Sequence, residues 1–169
     1  MKRAASAWNE FTREDGLRVL VGSATCGRAT GSLDVLAAFQ KELQQCGLGE
    51  SVRLAEVGCN GLCFAEVLVE IKGPDGRQVL YQGVEPGMVS ELVESHLVKG
   101  EPVRRYALAL MQGKPLDGLA RFDDLPAIKP QRRVVLRNCG VIDPLNLDHY
   151  VAQGGYSGLT KALSLKPEE

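Results

Sequence analysis

The sequence predicts an α/β protein in which helices flank a mixed β-sheet, followed by a mostly helical C-terminal extension. Three observations predict this class: apolar, β-branched runs that end at glycine, two amphipathic helical stretches, and a Pro/Gly turn between two alternating runs. The chain has 169 residues, of which 44% are hydrophobic and 24% are charged. This composition is typical of a globular domain with an extension and argues against disorder.

The first predicted elements form a strand, a helix and a second strand. The run LRVLVG, residues 17–22, is β-branched and ends at glycine, which predicts a buried strand. A helix should begin with Ser32 as its cap and stop at Gly47. Its apolar positions recur every three or four residues, at Leu33, Leu36, Phe39 and Leu43. The run SVRLAEV, residues 51–57, predicts the second strand.

A hairpin and a second helix complete this unit. Apolar residues alternate from Val67 to Ile71, the segment KGPDGR supplies a turn, and Val79 and Tyr81 continue the alternation. Pro86 suits the first turn of a helix that ends near Gly100. The resulting order β-α-β-β-β-α, over residues 15–100, is that of a thioredoxin-like sheet with helices packed on it.

The rest of the chain divides into an N-terminal segment, residues 1–14, a linker, residues 101–130, and an extension, residues 131–169. The linker is predicted from its prolines and from the lack of sustained periodicity. In the N-terminal segment, Trp8 and Phe11 either anchor a partner or pack on the core of the chain itself.

The extension, residues 131–169, predicts one short strand and short helices. The strand is the run RRVVLR, residues 132–137. Asp143 and Pro144 predict the start of a helix that stops at residues 154–155, and an amphipathic turn follows. The final LKPEE is similar to a helix start, which would indicate a truncated chain.

The charge balance and hydropathy exclude several classes of partner. The 20 basic and 21 acidic residues give a formal net charge of -1, so no excess of positive charge indicates nucleic acid. No apolar run approaches the ~20 residues of a membrane span, and the N-terminus lacks the apolar stretch of a secretory signal. We therefore expect a cytoplasmic protein with no nucleic-acid partner and no membrane span.

Cysteines are the candidate site residues. Five cysteines without a secretory signal favour reduced thiols or metal ligands over disulfides. Cys59 and Cys63 form a C-x3-C pair in a glycine-containing loop, and Cys26 follows the first strand at the same end of the sheet. Thiolates are soft ligands that favour an iron-sulfur cluster or zinc. A structural zinc site, a metal-free docking domain and thiol-disulfide exchange between Cys59 and Cys63 stay open as alternatives.

The remaining cysteines and both histidines have simpler interpretations. Cys46 and Cys139 are predicted to be small buried side chains, because free cysteine is among the most buried residue types. His96 and His149 are predicted to be structural or solvated, since no nucleophile motif accompanies them.

Four segments carry a resemblance to a known family. The segments VGSATCGRATGSLDVLAAFQKEL, EVGCNGLCFAEVLVEI and YQGVEPGMVSELVESHL resemble the thioredoxin-like 2Fe-2S ferredoxin domain. The later segment RRVVLRNCGVIDPLNLDHYVAQGGYSGLTKAL resembles the start of the NADH- and FMN-binding subunit of complex I type dehydrogenases, NAD-linked hydrogenases and formate dehydrogenases. The resemblance covers roughly residues 15–169.

The resemblance implies an electron-transfer and assembly module of an NADH-dependent flavin and iron-sulfur oxidoreductase. It implies a 2Fe-2S cluster with Cys26, Cys59 and Cys63 as ligands, whereas Gly31 and Phe39 hold positions where the family has its fourth cysteine. FMN and NADH are expected only in a downstream domain, because no glycine-rich segment for them is visible here. The implied partners are the other subunits of the complex, and a homodimer is left open.

Overall fold

The computed structural model describes residues 2–166, which form one five-stranded sheet with helices packed against it. The elements are α1 (Lys2–Phe11), β1 (Leu17–Gly22), α2 (Thr25–Ala29), α3 (Ser32–Gln45), β2 (Val52–Val57), β3 (Val69–Lys72), β4 (Gln78–Tyr81), α4 (Val89–Leu92), β5 (Ala107–Gln112), α5 (Leu147–Ala152) and α6 (Ser157–Ala162). A π-helical turn, Val93–Val98, continues α4. Short 3-10 turns span Cys63–Ala65, Pro86–Met88, Arg104–Tyr106 and Phe122–Asp124.

The strands are arranged in the order β2-β1-β3-β4-β5. Only β1 and β2 run parallel among these neighbouring strands, with Leu17 opposite Val52, and α3 connects them. The predicted hairpin is present as β3 and β4, with Val69 opposite Tyr81. The α/β class with a mixed sheet and flanking helices is therefore confirmed. Because β1 and β2 are parallel, the loops that follow them leave from the same edge of the sheet.

The main core lies between one face of the sheet and the helices α3 and α4. Successive strand residues point to opposite faces, so Val19 and Val21 enter this core while Leu20 faces the other side. The helix α3 contributes Val35, Phe39 and Leu43. The opposite face is covered by a smaller cluster around Leu80, Ala109 and Phe122.

The helix α3 has the predicted length but a different cap. Gly31, in the left-handed region with φ +98°, is the residue before the first helical turn. The Ser32 hydroxyl does not cap the helix, because it is buried and accepts a hydrogen bond from the Ser23 hydroxyl at 3.1 Å. Gly47, with φ +69°, follows the helix end as predicted.

The N-terminal segment forms a helix that the sequence analysis did not predict. Its residue Phe11 is buried against Leu20 and Val57, and Trp8 packs beside it. The two aromatic side chains therefore pack on the chain's own core, the second of the two alternatives. The helix α1 also packs against α5, so the N-terminal segment and the C-terminal extension touch each other.

The predicted linker, residues 101–130, contributes the fifth strand. In β5, Leu110 lies opposite Val79 and is buried in the main core. The residues ALALMQ have a weak intrinsic preference for strands, so periodicity and composition missed it. The strand forms because β4 otherwise leaves an unpaired edge. The division of the chain into domains remains a prediction.

Two predictions in the extension are wrong. Residues 132–137 form no strand, and Val134 and Val135 are exposed, because a β-branched run needs a strand edge to pair with. The helix α5 begins at Leu147 and not at Pro144, since the Asn146 side chain accepts hydrogen bonds from the backbone N–H groups of residues 148 and 149. The helix start predicted at Pro167 lies outside the described residues. Within residues 2–166, no helix is long and apolar enough to cross a membrane.

Candidate metal centre

Three thiols meet at the sheet edge where the parallel strands β1 and β2 end. Cys26 lies in the short helix α2 after β1, Cys59 lies in the loop after β2, and Cys63 begins a 3-10 turn. The Sγ atoms of Cys26 and Cys63 are 3.1 Å apart, and those of Cys59 and Cys63 are 3.6 Å apart. All three lie within 4.8 Å of one another. The structure thus brings the three candidate ligands together, and their binding of a metal stays a prediction.

The C-x3-C loop is shaped so that its two thiols can approach. Gly61 has φ +98°, a conformation that favours glycine, and the backbone N–H of Gly61 donates a hydrogen bond to Cys59 Sγ at 3.3 Å. Leu62 is buried in the smaller core cluster and anchors the loop, while Cys63 remains exposed. The loop therefore presents its sulfur atoms outward from a fixed base.

The helix α2 is fixed to the ends of the two parallel strands. The Arg28 guanidinium donates from Nε to the backbone oxygen of Ser23 at 3.0 Å and pairs through Nη2 with Glu56 at 3.1 Å. Gly27 lies directly against the backbone of Gly22. These contacts set the position of Cys26 with respect to the loop.

The metal-free thiols of Cys59 and Cys26 are held in their protonated form. Burial raises the pKa of the Cys59 thiol to about 12, and the neighbouring Cys63 and Glu66 side chains act in the same direction. The pKa of Cys26 is raised by its hydrogen bond with Cys63 and by burial. A cation bound by these sulfurs would reverse this preference, and its binding would release protons.

The two positions where the resemblance implies a further cysteine ligand provide no ligand in this chain. Gly31 has no side chain, and Phe39 is completely buried in the main core. Cys46 follows the last residue of α3, where its Sγ lies 3.9 Å from Glu42 Oε1. Cys46 is exposed, so its prediction as a buried side chain is wrong, because it lies at the solvent-facing end of the helix. Cys139 is half-buried and lies against Gly58.

Two polar side chains with a buried oxygen atom, Asn60 and Glu66, lie beside the thiols and were not predicted from the sequence. Asn60 is only 6% exposed, and its Oδ1 has no hydrogen-bond partner among residues 2–166. The Glu66 carboxylate accepts a hydrogen bond from the backbone N–H of Leu68 at 3.0 Å, but its buried Oε1 has no partner in the same range. For Asn60, the only sequence feature that pointed to the site was its position inside the C-x3-C pair. Glu66 has no sequence pattern that would single it out.

Both histidines lie in packed regions away from the thiols. His96 is completely buried, and its Nδ1 lies 2.9 Å from the Tyr81 hydroxyl. The His149 ring packs against Phe11 with a centroid separation of 4.3 Å and against Trp8 at 5.6 Å. These contacts agree with the predicted structural role.

The sulfur distances predict which disulfide forms when the metal-free chain is oxidised. Diamide, which takes up two electrons and two protons, is expected to link Cys26 to Cys63, because their 3.1 Å separation is the shorter one and must close to about 2.05 Å. Peptide mapping under non-reducing conditions identifies the pair. Cys46→Ser should leave the product unchanged. A predominant Cys59–Cys63 product would contradict this expectation and would favour the exchange alternative.

Comparison with known proteins gives curated relatives that match up to half of the chain. No protein-family model matches the sequence. It is 37% identical over 83 residues to the NADP-reducing hydrogenase subunit HndB of Solidesulfovibrio fructosivorans, covering 49% of this chain and 65% of HndB. It is 38% identical over 86 residues to a 2Fe-2S ferredoxin of Aquifex aeolicus, covering 50% of this chain and 73% of that protein.

A solved structure agrees with the sequence matches. The thioredoxin-like 2Fe-2S ferredoxin from Aquifex aeolicus superposes with a TM-score of 0.50 and 31% identity, over 60% of this chain and 96% of that chain. The chain spans slightly less than two thirds of the length of HndB.

Proposed function

Since the chain belongs to the thioredoxin-like 2Fe-2S ferredoxin family, we propose that it is an electron-transfer module that holds a 2Fe-2S cluster through Cys26, Cys59 and Cys63. The observation that carries this proposal is the convergence of the three sulfur atoms within 4.8 Å of one another. Thiolate sulfur is the ligand that iron-sulfur clusters use. The three thiols therefore supply the type of ligand that the group requires.

The chain's own residues suit such a site for electron exchange at a surface. The bound cluster supplies reversible one-electron acceptance. Cys63 is exposed, and the adjacent Phe64 is 78% exposed, so a partner can approach this side of the site closely. The Gly61 N–H directed at Cys59 Sγ stabilises negative charge on that sulfur, and such hydrogen bonds help to set the reduction potential.

We further propose that the partners are other subunits of an NAD(P)-linked hydrogenase or dehydrogenase in the cytoplasm. HndB, a relative of this chain, is described as a subunit of an NADP-reducing hydrogenase. Most of the large apolar side chains exposed in residues 2–166 lie between Val134 and Leu165, which fits a docking role for the extension. We assign residues 15–100, with β5, to the cluster-holding domain. FMN and NADH would bind to the flavin-containing part of the complex.

The cluster proposal predicts the metal content of four proteins. After anaerobic reconstitution with ferrous iron and sulfide, the parent chain and Cys46→Ser should each contain about two irons and two sulfides and absorb visible light. Cys59→Ser and Cys26→Ser should lose the cluster, because each removes a ligand from the shared centre. Cys46 is the matched control because its thiol is exposed at the end of α3.

The same samples separate the competing interpretations. A parent chain that takes up no iron under these conditions would refute the cluster. If the purified parent instead contains zinc that Cys59→Ser removes, the structural zinc alternative is correct. Elemental analysis distinguishes the two metals directly.

A further inference from the structure

Three thiols leave a 2Fe-2S cluster one ligand short. Such clusters are usually held by four cysteine thiolates, and the described group contains only Cys26, Cys59 and Cys63. Gly31 and Phe39 cannot supply the fourth, for the reasons given above. A fourth ligand must therefore come from another part of the chain or from a partner.

Cys139 lies against the loop that carries Cys59. Its Sγ is 3.4 Å from the point where a side chain on Gly58 would begin, and its Cβ is 3.6 Å from the same point. The next residue, Gly140, packs on the other side of Cys59, with its own Cβ position 3.3 Å from Cβ of Asn60. The pair 139–140 thus contacts the residues immediately before and after Cys59. Glycine at position 58 leaves the space that the sulfur of Cys139 occupies.

Folded contacts hold the turn that contains Cys139 in this position. The Arg133 guanidinium donates hydrogen bonds to the backbone oxygens of Leu136 and Cys139 at 3.0 and 3.1 Å. A few residues later, α5 packs on α1 through the rings of His149 and Phe11. Cys139 therefore lies beside the loop, in a turn between the contacts of Arg133 and the packing of α5 on α1.

The space between the loop and the turn contains unsatisfied polar groups. Asn60, Glu66 and Gly140 line a small cavity together with Cys59. Asn60 is more than nine-tenths buried, and its Oδ1 has no partner in residues 2–166, like the Glu66 Oε1. Buried polar atoms are nearly always paired. Both orphaned oxygens are acceptors that a thiolate cannot satisfy, so they mark an incompletely packed space between the loop and the 139–140 turn in the metal-free chain, and not a ligand contact.

We propose that Cys139 is the fourth ligand of the cluster held by Cys26, Cys59 and Cys63, an inference that rests on the function proposed above. Cys139 lies outside the group of sulfurs within 4.8 Å, so cluster binding must draw the 139–140 turn toward Cys59. To hold the cluster, the Cys139 thiol would release its proton to water and would act as a thiolate ligand. No electron is transferred. The C-terminal extension thereby becomes part of the cluster site.

The test compares the reconstituted full chain with Cys139→Ala, Cys46→Ala and Glu66→Gln. Removal of the fourth thiolate is expected to speed the release of iron to a chelator by about tenfold or more and to change the visible and EPR spectra. Cys46→Ala should match the parent in both measurements, because its thiol lies on the far end of α3. Glu66→Gln should retain the cluster, since its carboxylate is not a ligand in this proposal.

A second measurement uses the unmutated chain, so that it does not depend on the folding of a variant. Iodoacetamide should label Cys139 in the metal-free chain and should fail to label it in the cluster-loaded chain, whereas Cys46 should react in both. Equal labelling of Cys139 in the two states would overturn the proposal. So would a Cys139→Ala protein with the iron content, spectra and release rate of the parent, or a cluster lost only in Glu66→Gln. A parent that binds no iron would instead refute the proposed function itself.

Discussion

Replacing Gly27 with alanine is expected to lower the free energy of unfolding by about 3 kcal/mol and to separate Cys26 from Cys63. An alanine Cβ at this position would fall inside van der Waals contact with the carbonyl oxygen of Gly22 and 3.0 Å from its carbonyl carbon. Both neighbours are backbone atoms of Gly22, so no flexible side chain can give way, and Arg28 holds the next residue through the Ser23 backbone oxygen. The helix α2 would have to move away from the end of β1, and Cys26 would move with it.

Two measurements on the metal-free chain check this expectation. Denaturant unfolding gives the change in free energy, and the yield of the Cys26–Cys63 disulfide after diamide treatment reports the position of α2. Gly87→Ala is the control, because no described atom lies within 4 Å of its Cβ position and Gly87 lies in a 3-10 turn. It should change stability by less than about 0.5 kcal/mol. If Gly27→Ala matched Gly87→Ala in both measurements, the packing argument would be wrong.

Lowering the pH from 6.5 to about 4 is expected to remove about 3 kcal/mol of stability through His96 alone. Burial lowers the pKa of His96 from 6.5 to about 4 in the folded chain. The unfolded chain therefore binds a proton at this side chain where the folded chain does not. The contribution is fully present above pH 6.5, is lost as the pH falls, and is completely lost below about pH 4.

Burial keeps His96 neutral, and the hydrogen bonds of Tyr81 suit this neutral ring. The backbone N–H of Val103 donates to the Tyr81 hydroxyl oxygen at 3.2 Å, which leaves the hydroxyl proton free to be donated to His96 Nδ1 at 2.9 Å. The neutral ring then carries its own proton on Nε2. A second ring proton, on Nδ1, would remove the acceptor for the Tyr81 hydroxyl proton. His96 is completely buried, so water cannot replace this hydrogen bond.

His96→Gln isolates this effect from other groups that titrate in acid. Burial raises the pKa of Glu70, so its protonation partly offsets the loss from His96 over the same range. The variant should be less stable than the parent at pH 8, and the difference should shrink by about 3 kcal/mol by pH 4. Parallel curves of stability against pH would contradict the assignment. An NMR titration of the His96 ring gives its folded pKa independently.

Local patterns were sufficient to predict most of the elements in residues 15–100, but not the short helix α2. The strands β1 to β4 and the helix α3 could be recognised because each has a clear periodicity bounded by glycine or proline. The cap of α3 was predicted incorrectly from the local sequence. Ser32 was expected to be the cap, but Gly31 is the residue that precedes the first helical turn. Local patterns also missed β5, whose residues become a strand only because β4 offers an edge.

The aromatic residues of the N-terminal segment were not enough to predict its place in the fold. Phe11 and Trp8 were noticed as aromatic residues, but two packing partners were equally consistent with the sequence. Only the structure shows that they cover the sheet and contact α5. For residues 132–137 the sequence predicted a strand that is absent. A β-branched run forms no strand here because it has no neighbouring strand to pair with.

The sequence alone predicted the order of β1 to β4 with α3, the C-x3-C pair and the edge of the sheet where Cys26, Cys59 and Cys63 belong. These follow from local periodicity and from the parallel β-α-β connection, which places successive loops at one edge. The tertiary structure decided the distances between the sulfur atoms, the burial of Asn60 and Glu66, and the position of Cys139 beside Gly58. Cys139 and Gly58 are about 80 residues apart in sequence, so their contact arises only from the packing of the whole chain.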